Sequence, residues 1–107
     1  MTKERVFKKE YANELVNVAR ADLESAWALY KANVVRKENI FFLIQQSIEK
    51  ALKAGLCAIE LPVPLVHDLS LIIDRYPKQH TVPLASEIAD LTEFATVRRY
   101  EESIAYY

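Results

Sequence analysis

Glycine, cysteine and histidine are scarce in this sequence, with one, one and two residues among 107. Because there is no Gly-x-Gly element, phosphate-binding loops of the P-loop or Rossmann type are excluded. The single cysteine, Cys57, cannot form an internal disulfide, and its apolar neighbours indicate a buried, unreactive thiol. No cluster of Cys and His has the spacing of a structural zinc site. We therefore predict that the chain holds neither a metal nor a cofactor.

A strong net charge and a long apolar run are also missing. The formal net charge of −1 excludes the broad basic surface of a general DNA-binding protein, although it allows a local basic patch. Glu49, Lys50 and Lys53 interrupt the most apolar stretch, which is therefore unsuited to span a membrane. We expect a cytoplasmic protein without membrane contact. The length fits one domain, residues 1–107, with one hydrophobic core.

The segment from about residue 38 to residue 59 is the most apolar part of the chain. Its apolar residues recur at steps of three and four along one helical face, formed by Phe41, Ile44, Ile48, Ala51 and Gly55. A second apolar set widens the buried arc and consists of Ile40, Leu43, Leu52 and Leu56. A helix that is apolar around most of its circumference belongs at the centre of a helical bundle.

The helical pattern extends over most of the remaining chain. Further helices are predicted over residues 8–32, 65–75, 84–97 and 98–107, the last being either a separate helix or a continuation of the fourth. The first carries an a/d seam of Ala12, Val16, Ala19, Leu23, Ala26 and Tyr30. Asn33 suits a left-handed turn at its end. The short connection that follows predicts that the two long helices pair antiparallel.

These patterns predict an all-α fold. We expect a four- or five-helix up-and-down bundle, in which two long antiparallel helices are followed by shorter ones. The alternative, β-structure, has little support. The segments Val34–Val35 and Leu61–Val63 are short, and neither has an alternating partner.

The polar strip of the central helix is the first candidate site. It comprises Gln45, Gln46, Glu49, Lys50 and Lys53. The lysines are placed to meet a phosphate, but the same strip also fits a solvated face with one ion pair, Glu49 with Lys53. His67, at the predicted start of the third helix, has two interpretations: a base whose partner the sequence does not identify, or an anchor between loop and helix.

Two further candidates lie in the second half of the chain. Arg98, Arg99 and Tyr100 combine cations that suit phosphate with a ring that can stack on a base, or they form an ordinary charged helix end. Arg75 and His80 have an Arg-x4-His spacing. Pro77 lies between them, so they cannot share one regular helical face.

Several of these segments together resemble the HEPN domain family. The strongest segment is Phe42–Lys53, which is similar to the family's central-helix pattern of Gln-Gln, Glu-Lys and Lys. His67-Asp-Leu69 follows after a proline-bearing loop, and Arg99-Tyr100 resembles an Arg-Tyr element near the family's C-terminus. The resemblance implies a helical bundle that commonly forms homodimers. It also implies a nucleotidyltransferase partner in toxin–antitoxin or defence systems, or a nucleotide-binding role.

The resemblance also implies a choice between binding and catalysis. An active subset of the family are metal-independent ribonucleases with an Arg-x4–6-His motif on one helix. Here Tyr76 follows Arg75, Pro77 interrupts the interval to His80, and Glu101 stands where the family often has proline. We therefore predict a binding module rather than an enzyme. Its nucleotide, RNA or partner contacts would be Gln46, Glu49, Lys50, Lys53, His67, Arg98, Arg99 and Tyr100. The alternatives are an endoribonuclease that uses Arg75 and His80, and a purely structural dimerisation bundle.

Overall fold

Two long helices pack against each other in the computed structural model, which describes residues 3–91 of the chain. Helix α1 spans Tyr11–Lys31 and helix α2 spans Glu38–Ala58, close to the predicted ranges 8–32 and 38–59. Asn33 has a φ of 54°, which confirms the predicted left-handed turn after α1. Shorter helical segments follow, so the prediction of an all-α bundle headed by two long helices is confirmed.

Small residues let α1 and α2 approach closely. Ala19 and Ala26 of α1 are buried, and the Ser47 hydroxyl of α2 donates to the Ala19 carbonyl over 2.7 Å. The large members of the predicted seam do not join this contact, because Leu23 and Tyr30 remain exposed. The predicted burial is therefore confirmed for Ala19 and Ala26, while Leu23 and Tyr30 lie on an outer face of α1.

The segment after α2 differs from the prediction. Val63–Pro64 forms strand β2, which pairs antiparallel with strand β1, Glu4–Arg5, near the N-terminus. Helix α3 spans only Leu69–Ile73 rather than residues 65–75. Proline at Pro62 and Pro64 drives the preceding residues out of the helical region, which keeps this segment extended until α3. β-Structure was the weakly supported alternative, and this short strand pair forms because the partner of β2 lies far away along the chain.

The core lies at one end of the helical pair, around the C-terminal half of α2. It consists of Leu52, Leu56, Cys57, Val63, Leu69 and Ile72. Cys57 is buried, as predicted, and its thiol donates to the Lys8 carbonyl over 3.1 Å. Among the described residues, no helix has both the length and the apolar content that a membrane span requires.

The next helix begins one residue later than predicted. Leu84 has a φ of 56° and is exposed, so the helical backbone covers residues 85–91 at the end of the described part. Ile88 packs against the core from this segment. The rest of the predicted range 84–97, and the whole predicted helix 98–107, lie outside the described residues.

The buried face of α2 is rotated from the predicted one. Ala51, expected to be inside, is exposed, whereas Gln45 and Glu49 of the polar strip are buried. The predicted neighbours Ile40, Leu52 and Leu56 are buried as expected. The polarity of the side chains therefore predicted the wrong centre for the buried face of α2, although it correctly predicted that this segment is a helix.

Tyr76 joins the core from the turn that follows α3. Its hydroxyl donates to the Leu52 carbonyl, and its ring lies against Gly55 of α2. Burial raises the pKa of Tyr76 above its ordinary value, and a backbone hydrogen bond at Leu56 opposes this shift. The neutral phenol is therefore favoured more strongly in the folded chain than in the unfolded chain.

This raised pKa predicts a loss of stability at alkaline pH. Because the unfolded tyrosine ionises first, the stabilisation is present below pH about 10 and is lost as pH rises through the folded pKa. Urea unfolding between neutral pH and the alkaline range measures the slope. The slope should be shallower for Tyr76→Phe, while Tyr11→Phe on the surface should keep it. Equal slopes in all three proteins would contradict the assignment.

Candidate functional site

A buried carboxylate holds a lysine and a histidine side chain at the C-terminal half of α2. The side chain of Glu49 is only 4% exposed, and Lys53, one helical turn later, donates to its Oε2 over 3.0 Å. The Nδ1 atom of His67 lies 3.1 Å and 3.2 Å from the two carboxylate oxygens. We call Glu49, Lys53 and His67 the Glu49 cluster.

Local sequence explains how His67 reaches α2. Strand β2 pairs with β1, and the Leu65 amide donates to the Lys3 carbonyl over 2.8 Å, which fixes the extended segment. Asp68 then begins α3, since its carboxylate accepts from the Ser70 amide over 2.9 Å. His67 therefore lies between a tied strand and a capped helix, which brings its ring back to Glu49.

The ring nitrogens of His67 have different surroundings. A carboxylate only accepts hydrogen bonds, so Nδ1 must carry the proton that faces Glu49. The side chain is 82% exposed, and the Nε2 edge is therefore accessible to a ligand. With a neutral ring Nε2 accepts from a hydroxyl, and with a protonated ring it donates to a phosphate oxygen. Glu49 is the partner that the sequence alone did not identify.

Lys53 adds positive charge beside the imidazole. Its side chain is 14% exposed, and one of the three ammonium donors is used by Glu49. The remaining donors can bind a phosphate oxygen that contacts His67. Because a buried carboxylate requires hydrogen-bonding partners, the burial of Glu49 favours the observed positions of Lys53 and His67.

Lys50 has a different environment from Lys53. Its ammonium lies 2.6 Å from a carboxylate oxygen of Asp22, which joins α2 to α1. Both side chains are partly buried. Lys50 is therefore paired with α1, whereas Lys53 shares its carboxylate with His67.

The glutamines of the strip are not fully solvated. Gln45 is buried and Gln46 is half-buried. The interpretation of this strip as a solvated face is therefore wrong, although its ion pair between Glu49 and Lys53 is present. Gln46 remains a candidate contact on the strength of its sequence position alone.

The Arg-x4-His pair is not brought together on one helix. Arg75 forms an ion pair with Glu4 of β1. His80 is exposed in a turn, where its amide donates to the Pro77 carbonyl over 2.9 Å. The predicted helix 65–75 included Arg75, but α3 ends at Ile73, so both residues lie beyond it. They do not share a helical face, as the intervening proline predicted. Arg98, Arg99 and Tyr100 lie outside the described residues.

Two residues that position α2 were not predicted from the sequence. Asp22 pairs with Lys50 across the helical hairpin, and the side chain of Tyr76 packs against Gly55. An unusual glycine inside a strongly helical segment is the signal that indicates close approach at this point. Within residues 3–91, no three His, Cys, Asp or Glu side chains are grouped as metal ligands would be.

Comparison with known proteins identifies the family. The family model of the HEPN domain matches residues 12–106, which is nearly the whole chain. No curated protein and no solved structure gives a match. The match covers α1 from its second residue, the whole of α2 and the Glu49 cluster. This chain therefore belongs to the HEPN domain family.

Proposed function

We propose that this protein is a HEPN-type binding module that contacts nucleotide or RNA through the Glu49 cluster. The carrying observation is the buried carboxylate of Glu49, which holds the exposed ring of His67 and the ammonium of Lys53 on one surface. An imidazole and an ammonium together suit a phosphate with a neighbouring ribose hydroxyl. Members of the family include modules that look like nucleotide-binding proteins.

The charges of this surface favour recognition by hydrogen bonds over attraction by a strong electrostatic field. Glu49 offsets Lys53, and Asp22 offsets Lys50, so the described part of this surface has little excess positive charge. A ligand would therefore be recognised by oriented hydrogen bonds rather than by a broad basic field. We expect modest affinity that depends only weakly on salt.

Replacing His67 with alanine tests the proposal with little risk to folding, because the side chain is mostly exposed. We expect His67→Ala to weaken binding of ATP or a short single-stranded RNA about tenfold, the effect of one charge-assisted hydrogen bond. Fluorescence anisotropy with labelled probes measures the change. The matched control is His80→Ala, which removes the other histidine and should leave affinity unchanged. Equal affinity in both variants would contradict the proposal.

The same samples test the enzymatic alternative. An endoribonuclease would use His80 as a general base and Arg75 to stabilise the transition state. RNA cleavage by the wild-type chain that disappears in Arg75→Ala/His80→Ala would support this alternative. Cleavage that persists in the double variant would reject it. Arg75 is held by Glu4, and this pairing favours a structural role for the arginine.

A partner enzyme forms the second part of the proposal. We expect this chain to act with a minimal nucleotidyltransferase in a toxin–antitoxin or defence system, as the family resemblance implies. A nucleotidyltransferase gene beside the gene for this chain, and co-purification of the two products, would support that assignment. Co-purification without any effect of nucleotide or RNA on either protein would instead favour a structural association module.

A further inference from the structure

An aromatic pair joins the N-terminal segment to the start of α1. The rings of Phe7 and Tyr11 stack with centroids 5.0 Å apart and an interplanar angle of 20°. The guanidinium carbon of Arg5 lies 4.9 Å from the centroid of the Phe7 ring. Phe7 is therefore covered by both neighbours, whereas Tyr11 is 37% exposed and can extend the stack with a further ring.

These side chains line a groove that we call the Tyr11 groove. It has a volume of about 490 Å³ and is lined by Arg5, Val6, Phe7, Lys8 and Tyr11. Arg5 and Lys8 are exposed, and within residues 3–91 neither side chain forms an ion pair. The neighbouring carboxylate of Glu4 is paired with Arg75 instead. The groove thus combines an open aromatic face with two cations.

Contacts of the backbone fix the shape of the Tyr11 groove. Arg5 lies opposite Val63 in the strand pair, and the Cys57 thiol donates to the Lys8 carbonyl over 3.1 Å. A groove that is ordered in advance loses little conformational entropy when a ligand binds. The N–H donors of a guanidinium lie in its plane, so the stack of Arg5 on Phe7 leaves them available to a phosphate.

A nucleic acid strand with unpaired bases has the chemistry that this groove fits. The face of an unpaired base stacks on an aromatic ring, while cations beside the ring pair with the flanking phosphates. A duplex keeps its base faces inside its own stack, so it cannot make this contact. The positive charge of the groove is also too local to supply the broad field of a duplex-binding surface.

The short sheet connects the Tyr11 groove with the Glu49 cluster. The Leu65 amide donates to the Lys3 carbonyl, and His67 follows Leu65 by two residues, while Phe7 follows Lys3 by four. Because the strands are antiparallel, the chain leads away from the Lys3–Leu65 contact in opposite directions towards the two sites. Extended chain lengths and the strand spacing place them within roughly 27 Å of each other. A strand of several nucleotides can therefore reach both sites.

We propose that the Tyr11 groove is a second contact for single-stranded RNA, where a base stacks on Tyr11 and phosphates bind Arg5 and Lys8. The inference rests on the proposed function for the other contact, at the Glu49 cluster, and it names a polynucleotide rather than a free nucleotide as the ligand. ATP occupies the Glu49 cluster alone, so the two contacts can be measured separately.

Two substitutions of Tyr11 in the full chain test the base contact. Tyr11→Ala should weaken binding of a single-stranded RNA of about eight nucleotides roughly tenfold, whereas Tyr11→Phe retains the ring and should keep wild-type affinity. Affinity for ATP should be unchanged in both variants. Fluorescence anisotropy measures binding, and far-UV circular dichroism verifies that both variants remain helical. Unchanged RNA affinity in Tyr11→Ala, or an equal loss in Tyr11→Phe or for ATP, would overturn the proposal.

The dependence of RNA affinity on salt tests the phosphate contact. Lys8→Gln should make the slope of log affinity against log salt shallower by about 0.7, the value for one phosphate contact of a single strand. Lys31→Gln is the matched control, because Lys31 is an exposed lysine at the other end of α1. Equal slopes in the two variants would contradict the assignment of Lys8.

His67→Ala separates this inference from the proposed function. We expect it to weaken binding of both ATP and RNA, whereas Tyr11→Ala weakens binding of RNA alone. RNA binding that depends on Tyr11 but not on His67 would support the Tyr11 groove and contradict the Glu49 cluster. RNA binding that depends on His67 but not on Tyr11 would overturn the Tyr11 groove and leave the proposed function in place.

Discussion

Glu49→Gln is expected to lower the free energy of unfolding by about 2–4 kcal/mol. The substitution removes the charge that pairs with Lys53 and holds Nδ1 of His67, while the site remains buried. Breaking a buried ion pair is costly because the remaining charge loses its compensation, and the partial exposure of Lys53 moderates this cost. Urea unfolding measures the change.

Two variants distinguish the ion pair from a general effect of losing a carboxylate. Glu87→Gln neutralises an exposed glutamate and should change stability by less than about 0.5 kcal/mol. Glu49→Gln/Lys53→Met removes both charges and should recover about 1 kcal/mol or more relative to Glu49→Gln alone. A Glu49→Gln chain that is as stable as Glu87→Gln would contradict the burial and pairing of this carboxylate.

Glu49→Gln should also weaken ligand binding, because it removes the charge that orients the imidazole. The expected loss is similar to that of His67→Ala, about tenfold. The stability and affinity measurements remain separable, since His67→Ala changes affinity with little effect on folding. Loss of stability with full retention of affinity would assign Glu49 to structure alone.

Gly55→Ala is expected to destabilise the protein by about 1–3 kcal/mol. Alanine in a helix interior is ordinarily favoured over glycine by about 1 kcal/mol, so the expected sign is reversed here. The reason is local: a Cβ atom at Gly55 overlaps the Tyr76 hydroxyl, and the ring of Tyr76 packs against the core. Thermal or urea unfolding measures the effect.

A second substitution tests this explanation. In the Gly55→Ala background, Tyr76→Phe removes the oxygen that overlaps the new methyl group and should recover part of the lost stability. In the wild-type background the same change should destabilise by about 1 kcal/mol, because the hydrogen bond to the Leu52 carbonyl is lost. If the two substitutions change the free energy of unfolding additively, the alanine methyl group and the Tyr76 hydroxyl do not overlap.

Sequence periodicity predicted the helical hairpin well because both helices are long and their signals are local. The boundaries of α2 were predicted within one residue, and Asn33 marked the turn after α1. The strands were missed because β1 and β2 are two residues each and pair across most of the described chain. Such pairing leaves no periodic signal within a short window.

The candidate site was predicted only in part. Glu49, Lys53 and His67 were named from the sequence, but the sequence did not indicate that one buried carboxylate joins them. Lys50 appeared equivalent to Lys53, yet it faces α1 and Asp22. Helical spacing gives the angle of a side chain around its own axis, whereas the neighbour it meets depends on how the helices pack.

Amino-acid order alone thus determined the helices, their hairpin connection and the membership of the polar strip, since these follow from backbone preferences and spacing. Tertiary structure decided which polar residues are buried, which lysine belongs to His67, and which apolar residues of α1 stay outside. These outcomes depend on contacts between segments distant in sequence. The free energy of a buried charge or an exposed ring is set by those contacts, so the residue type alone does not determine it.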